Sequence, residues 1–132
     1  MKNRLLAIIL AAGLFCLSGC GAVLLLGAGA TAGVLGYKYY DGNLEVNYKA
    51  SFDKTMDAVS STFSKQNIRT TFNNREISKG KVTGEKPNKE TVTVTVQYVT
   101  SEETKVSIRI GHLGDKKEAE AFEQYLRKEL FN

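Results

Sequence analysis

Residues 91–99 read TVTVTVQYV and form the clearest strand pattern in the chain. Apolar and polar side chains alternate strictly along it, which is the period of a β-strand with one buried face and one exposed face. The apolar positions on the shared face are Val92, Val94, Val96 and Tyr98. Antiparallel sheets commonly pack one face on a core and leave the other in water, so the stretch predicts a sheet of that kind.

Strand patterns of the same period lie on both sides of this stretch. Their apolar-face positions are Leu44, Val46 and Tyr48, then Ile68, Thr70 and Phe72, and finally Val106, Ile108 and Ile110. Between Ile77 and Val82 the alternation changes parity, so a bulge near Gly80 is needed to place both side chains on one face. We therefore expect four to five strands.

Two amphipathic helices complete the pattern. Ser51 precedes the first and Asp115 the second, and both residue types cap helix N-termini. Glu118 follows Asp115 at the spacing of a capping box. The buried stripes are predicted to be Phe52, Met56, Val59 and Phe63 in the first helix, and Ala119, Phe122, Leu126 and Leu130 in the second. The order β-α-β-β-β-α predicts an α+β fold, a small two-layer domain in which an antiparallel sheet carries both helices on one face.

The N-terminus has the features of a secretion signal. Residues 1–4 form a short basic head, residues 5–15 (LLAIILAAGLF) are an uncharged apolar core, and small residues follow at 18–19. This core is too short for a membrane-spanning helix, which needs about 20 apolar residues. The sequence therefore predicts a signal peptide over residues 1–19 that is removed.

Cys20 stands directly after that signal. Leu17, Ser18, Gly19 and Cys20 resemble the four-residue motif of bacterial lipoproteins. The resemblance implies cleavage after Gly19, transfer of a diacylglycerol to the thiol of Cys20, and acylation of the new amine, as with palmitate. Cys20 is then the lipid attachment site, and several acyl chains hold a protein firmly in a membrane. An ordinary cleaved signal with a chance cysteine and an uncleaved anchor are the alternatives. Because Gly21 is not acidic, the resemblance also implies the outer membrane, with the domain facing the periplasm.

Removal of the signal changes the charge and the cysteine count. The formal net charge falls from +4 to +2, because Lys2 and Arg4 leave. The remaining basic residues are interleaved with acidic ones, whereas a nucleic-acid-binding surface clusters them, so we expect no nucleic-acid partner. Cys16 leaves as well, and Cys20 alone supports neither a disulfide framework nor a cysteine metal site.

Residues 20–42 are predicted to form a lipidated, Gly/Ala-rich apolar tether. The many glycines of residues 21–36 favour either a flexible tether or a membrane-associated segment. Gly29 and Gly33 have the spacing of closely packed membrane helices, which predicts a weak homo-oligomer. The aromatic run at residues 37–40 suits a membrane interface. Asp41-Gly42-Asn43 is a turn cluster that marks the boundary of an α+β globular domain over residues 43–132.

Few residues are available for chemistry. His112 is the only histidine, Asp115 lies close by in sequence, and a hydrolase would need Ser78 or Ser107 beside them. A solvated turn histidine is the simpler interpretation. A solvated helix face is expected to carry Glu118, Glu120 and Glu123. We therefore expect no enzyme, no metal and no other cofactor.

A family resemblance follows from these features together. The lipoprotein cysteine, the Gly/Ala-rich tether, the aromatic run before an Asp-Gly turn and the segment VSIRIGHLGD (residues 106–115) resemble a family of small bacterial lipoproteins classified only as a domain of unknown function. The resemblance covers nearly the whole mature chain. It implies no assigned activity and therefore no catalytic residues.

The functional expectation is a lipid-anchored envelope lipoprotein that serves as a structural or protein-interaction module. An envelope protein partner would bind the polar face of the sheet. The residues expected to line that face are Thr91, Thr93, Thr95, Gln97, Ser107 and Arg109. The alternative is a periplasmic module that binds a small ligand, a lipid or a glycan between the sheet and the helices.

Overall fold

The computed structural model describes residues 33–131, which contain six strands and two helices. In chain order these are β1 (Val34–Tyr40), β2 (Asn43–Tyr48), α1 (Phe52–Lys65), β3 (Arg69–Arg75), β4 (Lys79–Glu85), β5 (Thr91–Thr100), β6 (Glu103–Ile110) and α2 (Lys116–Phe131). The α+β class and the single antiparallel sheet are confirmed. The expected number of four to five strands is wrong, because the described chain pairs six. The predicted signal peptide, Cys20 and Gly29 lie outside the described residues.

The additional strand is β1, which lies before the expected domain boundary at residue 43. Asp41 and Gly42 have φ values of 50° and 79°, the left-handed conformation of a tight hairpin turn. This turn brings β1 back along β2 with Tyr39 opposite Leu44. The turn cluster is therefore the tip of a hairpin, and residues 37–40 pair with β2.

The six strands form one sheet in the order β1-β2-β6-β5-β4-β3, and every neighbouring pair is antiparallel. One face of the sheet, the inner face, packs against both helices. Buried side chains of the central strands on this face are Leu44, Val46, Tyr48, Val82, Val92, Val94, Val96, Val106, Ile108 and Ile110. The predicted apolar positions of β2, β5 and β6 thus form the core, except that Tyr98 is half exposed.

The two helices begin and pack as their sequences predict. The Ser51 side chain accepts a hydrogen bond from the Lys54 amide at 3.3 Å, and Asp115 Oδ1 accepts one from the Glu118 amide at 3.0 Å. The Glu118 carboxylate pairs with Lys86, so the capping box is formed in one direction only. All eight predicted stripe residues are buried. None of the helices within residues 33–131 is long and apolar enough to cross a membrane.

The expected bulge at Gly80 is wrong, and the register shift lies in β3 between Thr70 and Phe72. It turns Phe72 away from the helices, and that side chain is 51% exposed. Ile77 lies in the turn between β3 and β4 and not in a strand, so it does not have to point to the same face of the sheet as Val82. Gly80 instead lies against α1, where an added Cβ atom would force the end of the Met56 side chain to shift.

Candidate functional site

The six residues predicted to bind a partner lie together on the face of the sheet opposite the helices, which we call the outer face. Thr93 stands opposite Arg109, and Thr95 stands opposite Ser107, in the β5–β6 register. Thr91 and Gln97 extend the same row of side chains toward the two ends of β5. None of the helices or strands in residues 33–131 packs over these residues, which are all half-buried or exposed.

The outer face carries more basic than acidic side chains. Its basic residues are Lys38, Arg69, Lys79, Lys81, Lys105 and Arg109, and its acidic residues are Glu45, Glu85 and Glu103. Lys105 pairs with Glu45 at 3.5 Å and Arg69 with Glu85 at 3.7 Å. Lys79 and Lys81 form no ion pair within residues 33–131. This side of the sheet therefore offers hydroxyl, amide and cationic groups that suit an acidic polar surface.

Arg109 has a structural role in addition to its place on the outer face. Its guanidinium donates to the Asp41 carbonyl at 3.1 Å and to the His112 carbonyl. The β1–β2 turn and the loop before α2 are thereby held together, and the Tyr39 hydroxyl donates to the Gly114 carbonyl at 3.1 Å. Loss of Arg109 would disturb this end of the sheet as well as any partner contact.

Gly33 is the one predicted self-packing residue that the structure describes. Its φ is 82°, and a Cβ atom there would lie 2.5 Å from the Phe131 ring. Its carbonyl also accepts a hydrogen bond from the Lys49 amide at 2.7 Å. The fold of the domain therefore requires a glycine at this position, independently of any contact between membrane helices.

A cleft of about 300 Å³ opens at the edge of the helical layer, between the end of α1, the β4–β5 turn and α2. Ile68 and Phe122 supply apolar surface, and Tyr125 lines the side formed by α2. Gln66 and Lys86 add polar groups. This volume is at the lower end of the range for small-molecule sites. Sequence reasoning missed these residues, because they come from three separated segments.

The charge of Lys86 in this cleft is balanced by carboxylates. Partial burial acts to lower the pKa of Lys86, but the hydrogen bond and the charge of Glu118 raise it above its usual value, and Glu90 acts in the same direction. The Lys86 ammonium lies 3.4 Å from Glu90 and also pairs with Glu118. The cleft therefore suits a neutral, partly apolar ligand better than an anion.

A buried polar cluster lies between β2 and α2. The Tyr48 hydroxyl donates to Glu123 Oε1 at 2.9 Å, and Arg127 lies 3.3 Å from Glu123 Oε2. Glu123 is only 1% exposed, so its expected place on a solvated helix face is wrong. Burial raises the pKa of Glu123, although the bond from Tyr48 and the charge of Arg127 oppose the shift. The sequence signal that indicated this burial was the position of Glu123, which lies one helical turn after Ala119 in the buried stripe.

The residues considered for hydrolysis are not brought together. His112 is exposed in the loop before α2, while Ser78 lies next to Tyr98 at the far end of β5. Ser107 is on the outer face in the row of Thr95. Within residues 33–131, no group of His, Cys, Asp or Glu side chains has an arrangement that could hold a metal ion.

Comparison with known proteins gives a family match. The family model described as "Protein of unknown function (DUF3568)" matches residues 3–129. The match includes the whole sheet and nearly all of α2. No curated protein matches the chain at a significant level.

Proposed function

The chain belongs to the DUF3568 family of proteins of unknown function, and from this premise we propose that it is a lipid-anchored lipoprotein of the bacterial cell envelope. Acylation of Cys20 would anchor it, with the outer membrane as its location and the domain in the periplasm. The support is the order of a basic head, an apolar core and the motif LSGC in residues 1–20. The acyl chains are the membrane partner of this proposal.

The proposed role of the domain is to bind an envelope protein through the outer face. The observation that carries this role is the polar face of the sheet, which no helix or strand of residues 33–131 covers and on which basic side chains outnumber acidic ones. Uncovered hydroxyl and amide groups can exchange water for a partner at small cost, and unpaired lysines favour an acidic surface. The proposed role is binding rather than catalysis, without a cofactor or nucleic acid.

Anchoring is tested by substitution of the cysteine. In cells fed a fatty-acid analogue, the unchanged chain should become labelled and Cys20→Ser should not, because the sulfur that receives the diacylglycerol is gone. The Cys20→Ser chain should also retain residues 1–19, which raises its mass on a gel. Equal labelling of both chains would reject the lipoprotein proposal.

Partner binding is tested by placing a photo-crosslinking amino acid at Thr95 in the centre of the outer face. Irradiation of living cells should yield a defined adduct with another envelope protein. The matched control is Gln124, which is exposed on α2 in the opposite layer. An adduct from Gln124 but not from Thr95 would contradict the assignment of the outer face.

A second candidate function is the binding of a small neutral ligand, lipid fragment or glycan in the cleft beside α2. The observation that favours it is the combination of apolar surface from Ile68 and Phe122 with a charge-balanced Lys86. Ala121→Trp would fill the cleft from its exposed edge, and Gln124→Trp is the control on the same helix. Native mass spectrometry of the purified chain should show a bound molecule that Ala121→Trp alone removes. An identical ligand content in both variants would reject the cleft.

A further inference from the structure

The described chain enters the sheet at one of its two ends, where β1 begins. Val34 stands opposite Tyr48, Tyr48 opposite Thr104, and Thr104 opposite Tyr98. This row crosses four strands and continues to β4, where Lys79 stands opposite Gln97. The β3–β4 turn and the β5–β6 turn therefore lie at the end where β1 begins, which we call the entry end.

The entry end exposes apolar side chains that the fold does not use. Ile77 is 98% exposed in the β3–β4 turn, where turn chemistry favours small polar residues. The Tyr98 amide donates to the Ser78 carbonyl at 2.8 Å, which places the exposed Tyr98 and Val99 beside this turn. Leu35 is exposed where β1 begins. A nearly fully exposed isoleucine contributes nothing to the core, and Ile77 with Tyr98 and Val99 beside it forms an apolar group that an outside surface can cover.

Exposed lysines stand close to the apolar side chains of the entry end. Lys49, Lys54 and Lys79 are exposed there, together with three exposed acids, Asp53, Glu76 and Glu102. Lys49 and Lys54 border one depression with Ser101 and Glu102, so the β5–β6 turn lies beside the start of α1. Lysines next to exposed apolar and aromatic side chains are the composition of interfacial membrane contacts.

The length of the chain before β1 limits how far this end can be from an anchor. From Cys20 to Gly33 an extended chain reaches at most about 45 Å, since each residue spans about 3.5 Å. A contact that would be weak between free molecules becomes effective when a short linker keeps both partners together. The entry end is therefore held within reach of any bilayer that carries the acyl chains.

The geometry points to a membrane-docking role for the entry end, in which Ile77, Tyr98 and Val99 enter the headgroup region of the bilayer. This inference rests on the proposed acylation of Cys20. The occupant is the lipid surface itself. The outer face then stands perpendicular to the membrane and stays accessible to a partner.

The test uses the full lipidated chain in vesicles that contain lipids with a spin-labelled quencher near the headgroup. Ile77→Cys carries an environment-sensitive dye, and Leu113→Cys is the matched control because Leu113 is 90% exposed in the loop at the opposite end of the sheet. We expect a blue shift and lipid quenching at residue 77, with a water-like signal at residue 113. Neither side chain packs in the core, so both variants should fold.

Three outcomes would overturn the docking role: a water-like signal at residue 77, equal quenching at both positions, or a blue shift at residue 77 without lipid quenching. The last outcome would indicate cover by a protein or a second copy of the chain. The unchanged chain, treated with the same dye, separates a failure of membrane docking from a failure of lipid anchoring. If Cys20 is acylated it takes up no dye, whereas labelling at Cys20 would refute the lipoprotein proposal itself.

Discussion

The two edge strands of the sheet, β1 and β3, have the same length and opposite relations to the core. In β1, Val34 and Tyr39 pack partly buried against the core, and Phe131 of α2 packs there as well. In β3, every residue is exposed. Arg75 of β3 instead reaches Asp57 on α1 at 2.8 Å, and Arg69 reaches Glu85 at 3.7 Å.

The difference shows that similar strand pairing can carry very different amounts of stability. Exposed ion pairs such as those of β3 contribute about 0–1 kcal/mol each, since water and salt screen them. The packing of β1 removes apolar surface from water, which is worth about 25 cal/mol per Å². We therefore expect β1 to be an integral part of the domain and β3 to tolerate substitution.

The largest expected effect comes from removing β1. A fragment of residues 43–132 should lose about 5 kcal/mol or more relative to residues 33–132, comparable to the whole stability of a small domain. It exposes the backbone edge of β2 and uncovers part of the core, so aggregation should accompany the loss. Urea denaturation of the two fragments measures the difference. Equal midpoints would show that the domain begins at residue 43.

The buried cluster next to β1 should give the next largest effect. Tyr48→Phe removes the donor to Glu123 and should cost about 1–3 kcal/mol at neutral pH, because a buried acceptor loses its partner. The control is Phe72→Thr, which replaces an aromatic residue on β3, the opposite edge strand of the sheet. If both variants lost the same stability, the hydrogen bond between Tyr48 and Glu123 would contribute nothing specific.

The same cluster predicts a pH dependence with a definite sign. Burial raises the pKa of Glu123 above its usual 4.5, so the folded state holds the proton more tightly than the unfolded state. The contribution of Glu123 is therefore fully favourable below pH 4.5 and is lost as the pH rises through the folded-state pKa. Tyr48→Phe should raise the pKa of Glu123 further in the folded state, so the loss becomes larger and extends to higher pH. Glu123→Gln should abolish this pH-dependent loss of stability. Unfolding curves recorded from below pH 4.5 up to neutral pH provide the measurement. A stability of the unchanged chain that rose over this interval, relative to Glu123→Gln, would contradict the assignment.

Tyr39→Phe tests a single contact of β1 at its far end. The lost hydrogen bond to the Gly114 carbonyl should cost about 0.5–1.5 kcal/mol, and amide exchange should increase in the loop before α2. Exchange in β3 is the internal reference, because it should not change. A uniform increase over the whole sheet would indicate global destabilisation instead.

The smallest effect is expected on β3. Phe72→Thr should change the free energy of unfolding by no more than about 0.5 kcal/mol, since the side chain is half exposed and leaves no cavity. A loss above about 1 kcal/mol would show that β3 contributes to the core as β1 does.

The sequence was informative where the signal is local and periodic. The alternation of β5, the apolar stripes of both helices and the caps at Ser51 and Asp115 all follow from neighbouring residues. These features were enough to predict the α+β class and the location of most of the core.

The remaining features depend on residues far apart in the chain. β1 follows an apolar Gly-rich segment, and only pairing with β2 distinguishes its first residues from a tether. The partner that makes burial of Glu123 favourable, Tyr48, is 75 residues away, although the spacing of Glu123 from Ala119 already placed it on the buried stripe. A single bulge in β3 reverses the side of Phe72. The placement of Thr91, Thr93, Thr95, Gln97, Ser107 and Arg109 on one face was predictable, whereas the cleft beside Lys86 was not.

The direction in which β1 enters the sheet has a mechanical consequence. Val34 pairs with Tyr48 at the entry end, and the strand runs from there along its full length to the turn at Asp41. If an envelope partner holds the outer face while the membrane moves away, tension at Gly33 pulls β1 along its own axis. The hydrogen bonds to β2 are then loaded together in shear, because none of them can open before its neighbours. A domain attached in this way resists sudden force better than one whose terminal strand peels open from one end.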